Sequence, residues 1–496
     1  MLMQYDVAVI GSGIAGLVAA ANLAARGHRV GVFEKNMSVG GCCSSFRRRE
    51  YLFDAAVHWF SGCGPGGFIN RIHRRLGIDI PFVEYQPMDR AHYPDLVLEV
   101  PASLDGYAEK LGDIFPHERE GISFLLGRFA DLSKLMLPSL DMSTQRDLES
   151  RNVSQLDQTY EQLLAQYVTD PGLKSLLSLQ WGFVGSRPNE VSAAAMAAML
   201  HSYCSGGAYY PMGGAQRFAD SLADSVRDNG GDIFVRNEVV GLDCSGGRVY
   251  RMRVVRDVEV SANVFISNID PHLLDSRIVR FDSPDPDWTR FASGLNKYKR
   301  SMSMFVLYLG VDIPSDELRQ APGWFSEYSL ADISAGVRPW FATGYLVNVP
   351  SLLDSNICPH GKSVVIMYTD IDPEDVGEIH DRDWRVLRSK YERRCLDFAV
   401  HRVHPAIRER MEVKVSATPR SIFRFTGNTW GSAYGWAMTP DQIGSRRMQL
   451  ESPLENLLFT GHWTLPGGSV QLTTVSGWLA SIKAAEQLSW GDAAHG

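Results

Sequence analysis

Three glycines near the N-terminus have the spacing of a turn that binds a dinucleotide. They follow the apolar run 7–10, which predicts a strand, and they precede an apolar pattern typical of a helix. The first glycine permits a tight turn, the second lets the backbone approach a pyrophosphate, and the third lets the helix pack closely on the strand. The amides at the start of the helix then face the phosphates. The residues of this turn are Gly11, Ser12, Gly13, Ile14, Ala15 and Gly16.

A carboxylate stands where it suits the ribose of the same dinucleotide. Glu34 ends a second predicted strand, 28–33, and lies 23 residues after Gly11. A carboxylate there accepts hydrogen bonds from both ribose hydroxyls of an adenosine and would repel a 2′-phosphate. The unit therefore suits FAD or NAD and does not suit NADP.

A second glycine pair, Gly40 and Gly41, suits a loop that continues along the pyrophosphate toward a flavin. This stretch and the following residues 53–58 resemble the FAD-dependent family of bacterial-type phytoene desaturases, carotenoid isomerases and retinol saturases. Desaturases and amine oxidases more often carry an arginine where Cys42 stands here. The resemblance therefore favours the saturase and isomerase branch.

The resemblance extends over the whole chain. Segments 210–216 and 237–239 resemble the family's returning strand beside the adenine, 264–271 resembles the strand that closes the FAD domain, and 458–470 resembles the segment over the flavin ring. His462 stands where many relatives carry an acid that binds the ribityl chain. The further residues that the resemblance places at non-covalently bound FAD are Lys35, Gly40, Gly41, Cys42, Cys43, Val57, His58, Val239, Asn268, Gly461, His462, Gly468 and Val470.

His58 is the candidate for acid–base chemistry, because the resemblance places it near the isoalloxazine. An imidazole has an ordinary pKa near neutrality, so it suits a general acid or base. Flavin packing and covalent attachment of the flavin are the other two roles open to it. Its neighbour Trp59 is expected to line a pocket for an apolar substrate. Cys42 and Cys43 are adjacent, which disfavours a disulfide between them, so small packing residues are favoured over a redox pair.

These residues must be held in place by a suitable fold. The resemblance implies an α/β protein of two domains with a FAD-binding fold of the glutathione-reductase type, which is Rossmann-like. The FAD-binding domain is expected to be discontinuous, comprising residues 1–95, 205–275 and 425–490. Residues 96–204 and 276–424 form the substrate-binding domain, a discontinuous domain of mixed sheet and helices. The first insert reads as largely helical, and the second begins with strand-like alternation.

The bulk composition agrees with a folded protein of several domains. The chain has 496 residues, 45% of them hydrophobic, and a net charge of −8, which argues against a nucleic-acid partner. Seven cysteines are few and odd in number, which disfavours a secreted disulfide framework and favours the cytoplasm. The scattered histidines suggest no metal site.

The apolar segment 122–137 has two interpretations. It is either a buried core helix or the mouth through which a lipid-like substrate enters from a membrane surface, with Arg128 and Lys134 near the headgroups. The second interpretation would make the protein peripheral to a membrane. No stretch of the sequence is long and apolar enough to span a bilayer.

The resemblance implies an oxidoreductase that acts on carbon–carbon bonds of an apolar small-molecule substrate, a polyene or isoprenoid, by desaturation, saturation or isomerisation. Two alternatives remain open. One is reductive cyclisation of a polyene natural product such as a tetramate macrolactam, and the other is flavin amine oxidation. Because no second Gly-x-Gly-x-x-Gly follows a strand, an electron partner such as quinone, oxygen or a reductase is favoured over NAD(P)H.

Overall fold

The computed structural model describes residues 2–136, 156–340, 344–371 and 384–494. Its helices are α1 Ile14–Ala24, α2 Phe68–Arg75, α3 Leu104–Ile114, α4 Arg119–Met136, α5 Tyr160–Tyr167, α6 Pro171–Ser178, α7 Ala193–Gly206, α8 Ala215–Asp228, α9 Pro271–Leu273, α10 Pro286–Leu295, α11 Leu330–Ser334, α12 Trp384–Phe398, α13 Pro419–Thr426 and α14 Val470–Ala494. Its strands are β1 Leu2–Ile10, β2 Val30–Phe33, β3 Ser45–Arg48, β4 Tyr51–Asp54, β5 Phe82–Glu84, β6 Asp89–His92, β7 Val97–Val100, β8 Tyr209–Pro211, β9 Asp232–Phe234, β10 Val239–Ser245, β11 Arg248–Val254, β12 Val258–Ser267, β13 Val279–Phe281, β14 Met304–Val311, β15 Gly323–Phe325, β16 Tyr345–Asn348, β17 Ser363–Asp370, β18 Met411–Ala417 and β19 Leu457–Phe459.

The first sheet carries the glycine turn. Its strand order is β13-β10-β11-β12-β1-β2-β9, and β19 also pairs with β12. The strands around the turn, β12, β1, β2 and β9, run parallel. β1 is apolar on both faces because both are covered: Val7 and Val9 pack on the side of α1, and Ala8 and Ile10 pack on the opposite side.

The helix α1 is buried along its whole length between this sheet, α14 and α8. Small residues allow the close approach. A Cβ at Gly477 of α14 would lie only 2.2 Å from the carbonyl oxygen of Ala15. The C-terminal helix therefore packs directly against the helix that starts at the glycine turn.

The second sheet has the order β18-β14-β17-β16-β15-β6-β7 and is mostly antiparallel. Side chains alternate between its faces, as the pleat requires. Leu346, Ile366 and Tyr368 belong to the core that the inserts share with Trp59, whereas Val365 and Met367 pack on the other face. Strand β4 packs on the first of these faces, where its Tyr51 and Phe53 belong to the same core.

The predicted α/β architecture is confirmed, including the helical first insert and the strands of the second. The domain boundaries remain a prediction. β6 lies within the predicted segment 1–95 but pairs in the second sheet, and β13 lies beyond residue 275 but pairs in the first.

The apolar helix α4 packs against α7 and buries most of its hydrophobic side chains, including Phe129, which contacts the ring of Tyr160. Leu137, the last position of the predicted segment, lies outside the described residues. Phe124 faces outward, with 61% of its surface exposed. Within the described ranges, none of the helices has the length and hydropathy needed to cross a bilayer.

Candidate functional site

The glycine turn joins β1 to α1 in the geometry that the sequence predicts. Gly11 has φ +88° and donates from its amide to the carbonyl of Phe33 at 2.8 Å. A Cβ at Gly16 would lie 2.4 Å from the carbonyl oxygen of Gly11, so only glycine fits there. The N-cap of α1 is Gly13, and no side chain among the described residues caps this helix. The amides of its first turn are therefore left for a ligand.

The second glycine pair lies directly beside the first turn. Gly40 and Gly41 have φ +110° and +57°, a region that favours glycine. The Gly40 amide donates to the carbonyl of Ser12 at 2.8 Å, and a Cβ at Gly41 would lie 3.2 Å from the Cα of Gly13. The backbones of these two glycine segments thus line one groove, which we call the glycine groove.

Asn268 connects this groove to the C-terminal segment. Its amide nitrogen Nδ2 would lie 2.6 Å from a Cβ at Gly13, and its Oδ1 would lie 2.4 Å from a Cβ at Gly461. Its backbone amide donates to Ile10 at 2.9 Å. Three glycine-containing segments from distant parts of the chain therefore meet around one asparagine.

Glu34 is buried at the end of β2, where the ribose of a dinucleotide would lie. Its Oε2 accepts from the amide (2.9 Å) and the hydroxyl (2.7 Å) of Ser12, and its Oε1 accepts from the amide of Asn36 (2.8 Å). The Glu34 carbonyl accepts from Asn237 at 2.8 Å, which brings the returning segment and Val239 to this edge. Lys35 lies beside it, and burial lowers the pKa of its ammonium group.

These features fit a dinucleotide with a pyrophosphate. Glycine-only backbone, an uncapped helix N-terminus and a carboxylate after β2 supply the three contacts that such a ligand needs. Cys42 and Cys43 lie in the same loop as free thiols. Burial raises the pKa of Cys42 to about 11, so the thiol form dominates at neutral pH, as expected of a packing residue.

His58 is buried and lies in a cluster of aromatic side chains. We call Trp59, Phe183, Tyr203, Trp324 and Tyr368 the aromatic wall. The imidazole centroid is 4.7 Å from the ring of Tyr368 and 5.7 Å from those of Trp59 and Phe183. Phe183 in turn contacts Tyr203 at 5.6 Å and Trp324 at 5.0 Å.

The electrostatic state of His58 follows from its burial. Burial lowers the pKa of the imidazole to about 4, so it is neutral at pH 7. Its Nδ1 lies 3.3 Å from the Ala56 carbonyl and takes the proton in the tautomer that donates to it. The opposite nitrogen, Nε2, is buried and has no hydrogen-bond partner among the described residues, which leaves it as an acceptor. Val57, the residue before His58, is partly accessible.

A buried arginine, Arg447, fixes the C-terminal segment 461–470 by hydrogen bonds to its backbone. Arg447 donates to the carbonyls of Thr464 (2.8 Å), His462 (2.5 Å) and Trp436 (3.2 Å). Its pKa is lowered to about 9 by burial, and it remains charged at neutral pH. His462 is buried as well, and its burial, together with the positive charge of Arg447, lowers the pKa of the imidazole to about 4.

The start of α14 follows immediately. Ser469 accepts from the Leu472 amide at 3.0 Å and so caps the helix, which explains a serine at this position. Gly468 approaches the backbone of Tyr434, where a Cβ would lie 2.6 Å from the carbonyl oxygen. Val470, partly accessible, begins the helix.

The structure brings most of the predicted residues together along one line, from Glu34 through both glycine turns to Asn268 and the 461–470 segment. Sequence reasoning missed Arg447, Asn348 and the distant members of the aromatic wall. Their side chains belong to elements of the inserts and the C-terminal region that carry no local motif.

A model of the family described as flavin containing amine oxidoreductase matches residues 14–483. The chain is 25% identical to the chloroplastic prolycopene isomerase of Arabidopsis thaliana over 98% of its own length and 83% of the relative's. It is 24% identical to the 4,4'-diapophytoene desaturase of Staphylococcus aureus strain COL, covering 95% of this chain and 96% of that protein.

Among solved structures, an oxidoreductase from Methanosarcina mazei has a TM-score of 0.70 at 18% identity, covering 98% of this chain and all of that one. Wild-type putrescine oxidase bound to putrescine has a TM-score of 0.65 at 15% identity, covering 99% and 100% of the two chains. These likenesses concern the fold. The family match over residues 14–483, together with the geometry of the glycine groove, establishes that the chain belongs to the flavin-containing amine oxidoreductase family and is an oxidoreductase whose cofactor is FAD.

Proposed function

We propose that the protein changes carbon–carbon double bonds of an apolar polyene or isoprenoid substrate, by desaturation, saturation or isomerisation. The observation that carries this proposal is the uncharged aromatic wall around the buried His58. Trp59 and Tyr368 are buried, and the other three rings of the wall are partly accessible. Flat aromatic surfaces suit a conjugated chain, and the prolycopene isomerase and diapophytoene desaturase relatives are named for polyene substrates.

When bound, FAD supplies the acceptor or donor of a hydride equivalent. The residues proposed to hold it are those of the two glycine turns, Glu34, Asn268 and the segment 461–470. The aromatic wall orients the substrate and excludes water. His58, neutral and unpartnered at Nε2, is placed to accept a proton from the substrate or hold it during the reaction.

The test is conversion of polyenes by the holoenzyme under anaerobic conditions. Oxidised and reduced enzyme are incubated with phytoene, all-trans-lycopene and prolycopene, and the products are analysed by chromatography and mass spectrometry. We expect a change of two hydrogens for redox chemistry, or an unchanged mass with a shifted spectrum for isomerisation. Substituting His58→Phe should lower the rate by at least about 100-fold.

The matched control is His73→Phe. His73 is also a buried histidine with a pKa near 4, but it packs between Phe82 and Phe218 in the other half of the molecule. We expect this variant to keep its activity. Equal rates for the two variants would remove His58 from the mechanism, and bleaching of the flavin by amines but by no polyene would replace the proposal with amine oxidation.

Amine oxidation is the second candidate, because aromatic rings also attract cations and the family includes amine oxidases. Reductive ring closure of a polyene is a variant of the main proposal and would appear in the same assay as a product with two added hydrogens and a new ring.

We further propose that the protein works at a membrane surface in a reducing compartment. Two observations support this: all seven cysteines are free thiols, and Phe124 projects from α4 one turn before Arg128. In a flotation assay with anionic vesicles, Phe124→Asp should lower the bound fraction severalfold. Phe425→Asp, at a phenylalanine that is 59% exposed on α13, is the control and should bind as the parent does. Equal binding of all three proteins would contradict membrane contact through α4.

A further inference from the structure

Besides the indole nitrogens of Trp59 and Trp324, three buried polar atoms on or against one face of the second sheet lack hydrogen-bond partners. They are His58 Nε2, Asn348 Nδ2 and Tyr368 OH, and within the ranges that the structure describes each is buried and unpaired. Their residues are all more than nine-tenths buried. Buried polar groups are normally paired, so three together require an explanation.

The three atoms belong to one small region. Asn348 and Tyr368 lie on the adjacent antiparallel strands β16 and β17, where Leu346 pairs with Tyr368, so the two side chains project from the same face. The imidazole of His58 lies against the ring of Tyr368 at 4.7 Å.

Tyr85 connects Asn348 to His58 and fixes the orientation of the asparagine. Its hydroxyl donates to Asn348 Oδ1 at 3.2 Å or to the His58 carbonyl at 3.3 Å. With Oδ1 turned to Tyr85, the amide NH₂ of Asn348 is the group left without a partner. The assignment follows from the hydrogen-bond network, as is usual for an amide.

The region therefore offers two kinds of contact. Asn348 Nδ2 and Tyr368 OH donate hydrogen bonds, whereas His58 Nε2 accepts one, because Nδ1 holds the proton against Ala56. A hydroxyl group is complementary to this set, since its oxygen accepts and its hydrogen donates. A hydrocarbon satisfies none of the three atoms.

Building on the proposed polyene function, we propose that the substrate is a hydroxylated polyene, an alcohol or an enol. Its oxygen is held by Asn348 and Tyr368 and its proton by His58. The aromatic wall contacts the adjoining chain. The three polar residues are thus specificity determinants that select an oxygenated polyene over the hydrocarbon of the same skeleton.

The experiment measures affinity rather than turnover, with three probes of one skeleton: β-carotene, β-cryptoxanthin and the methyl ether of β-cryptoxanthin. Binding to the holoenzyme in detergent is followed by quenching of tryptophan fluorescence. We expect the alcohol to bind at least about tenfold more tightly than the hydrocarbon, and the ether to fall between them because it accepts but cannot donate.

Tyr368→Phe should abolish most of the preference for the alcohol and leave the affinity for the hydrocarbon unchanged. Its Tm should not fall, because the hydroxyl has no partner in the unliganded protein. Tyr160→Phe is the control: this hydroxyl donates to the Leu177 carbonyl at 2.8 Å, so its loss should lower Tm and leave the preference intact.

Equal affinities for the three probes in the parent would overturn the hydroxyl selection and leave the polyene function standing. An unchanged preference in Tyr368→Phe, together with an unchanged preference in Asn348→Leu, would also overturn it. Failure of every polyene to bind would instead overturn the proposed function on which it rests.

Discussion

Gly16→Ala is expected to yield a folded protein that has lost most of its FAD. The added Cβ would lie 2.4 Å from the carbonyl oxygen of Gly11 and 3.1 Å from Asn268 Nδ2, and the first of these atoms is backbone. The start of α1 must therefore move away from β1, which displaces the amides that face the pyrophosphate. Strain of about 1–3 kcal/mol corresponds to a loss of about 5- to 150-fold in FAD affinity.

The measurement is the flavin-to-protein absorbance ratio after purification, followed by titration of the apoprotein with FAD. Gly127→Ala is the matched control. Gly127 lies in α4, where a Cβ would meet nothing within 4 Å, so the substitution should retain FAD and add up to about 1 kcal/mol of stability. Full flavin content in Gly16→Ala would show that FAD does not bind across this turn.

Arg447→Met is expected to cause the largest loss of stability of any single substitution considered. The guanidinium is 1% exposed and donates to four backbone carbonyls, those of Trp436, Gln442, His462 and Thr464. Among the described residues, no carboxylate forms an ion pair with Arg447. Its removal leaves buried carbonyls without hydrogen-bond donors, which destabilises the folded state. The protein no longer has to bury a charge, but this gain offsets only part of the loss. We expect a net loss on the order of 3 kcal/mol in the free energy of unfolding.

Urea unfolding of the apoprotein and holoprotein measures this loss, and the difference between them reports the effect on FAD binding through the segment 461–470. Arg446→Met is the control. Its side chain is 32% exposed and pairs with Asp157 and the Pro440 carbonyl. Its loss should be below about 1 kcal/mol. Equal losses for the two arginines would contradict a structural role for the buried cation.

The glycine groove was predictable because its chemistry is local in sequence. Its key residues lie on consecutive elements of the chain: Gly11, Gly13, Gly16 and Glu34. The role of each follows from its own backbone conformation or charge and requires no contact with a distant part of the chain. The C-terminal segment is recognised mainly by its resemblance to the family.

The rest of the candidate site could not be predicted because it depends on pairing between distant strands. Asn348 and Tyr368 become neighbours of His58 only through the register of β16 and β17 and through the packing of that sheet on the core around Trp59. Arg447 follows an irregular segment without a motif, and its role appears only when the carbonyls around it are in place.

The pairing of β1 with β12, and of β12 with β19, has a consequence for the order of events during synthesis. The glycine turn leaves the ribosome long before Asn268 and Gly461, the residues that meet it, have been made. A nascent chain that has completed β2 holds only part of the groove, so we expect it to remain without FAD. Cofactor capture must then await synthesis of β19 and the segment 461–470, and a chain truncated before β19 should be cleared by proteases as an apoprotein.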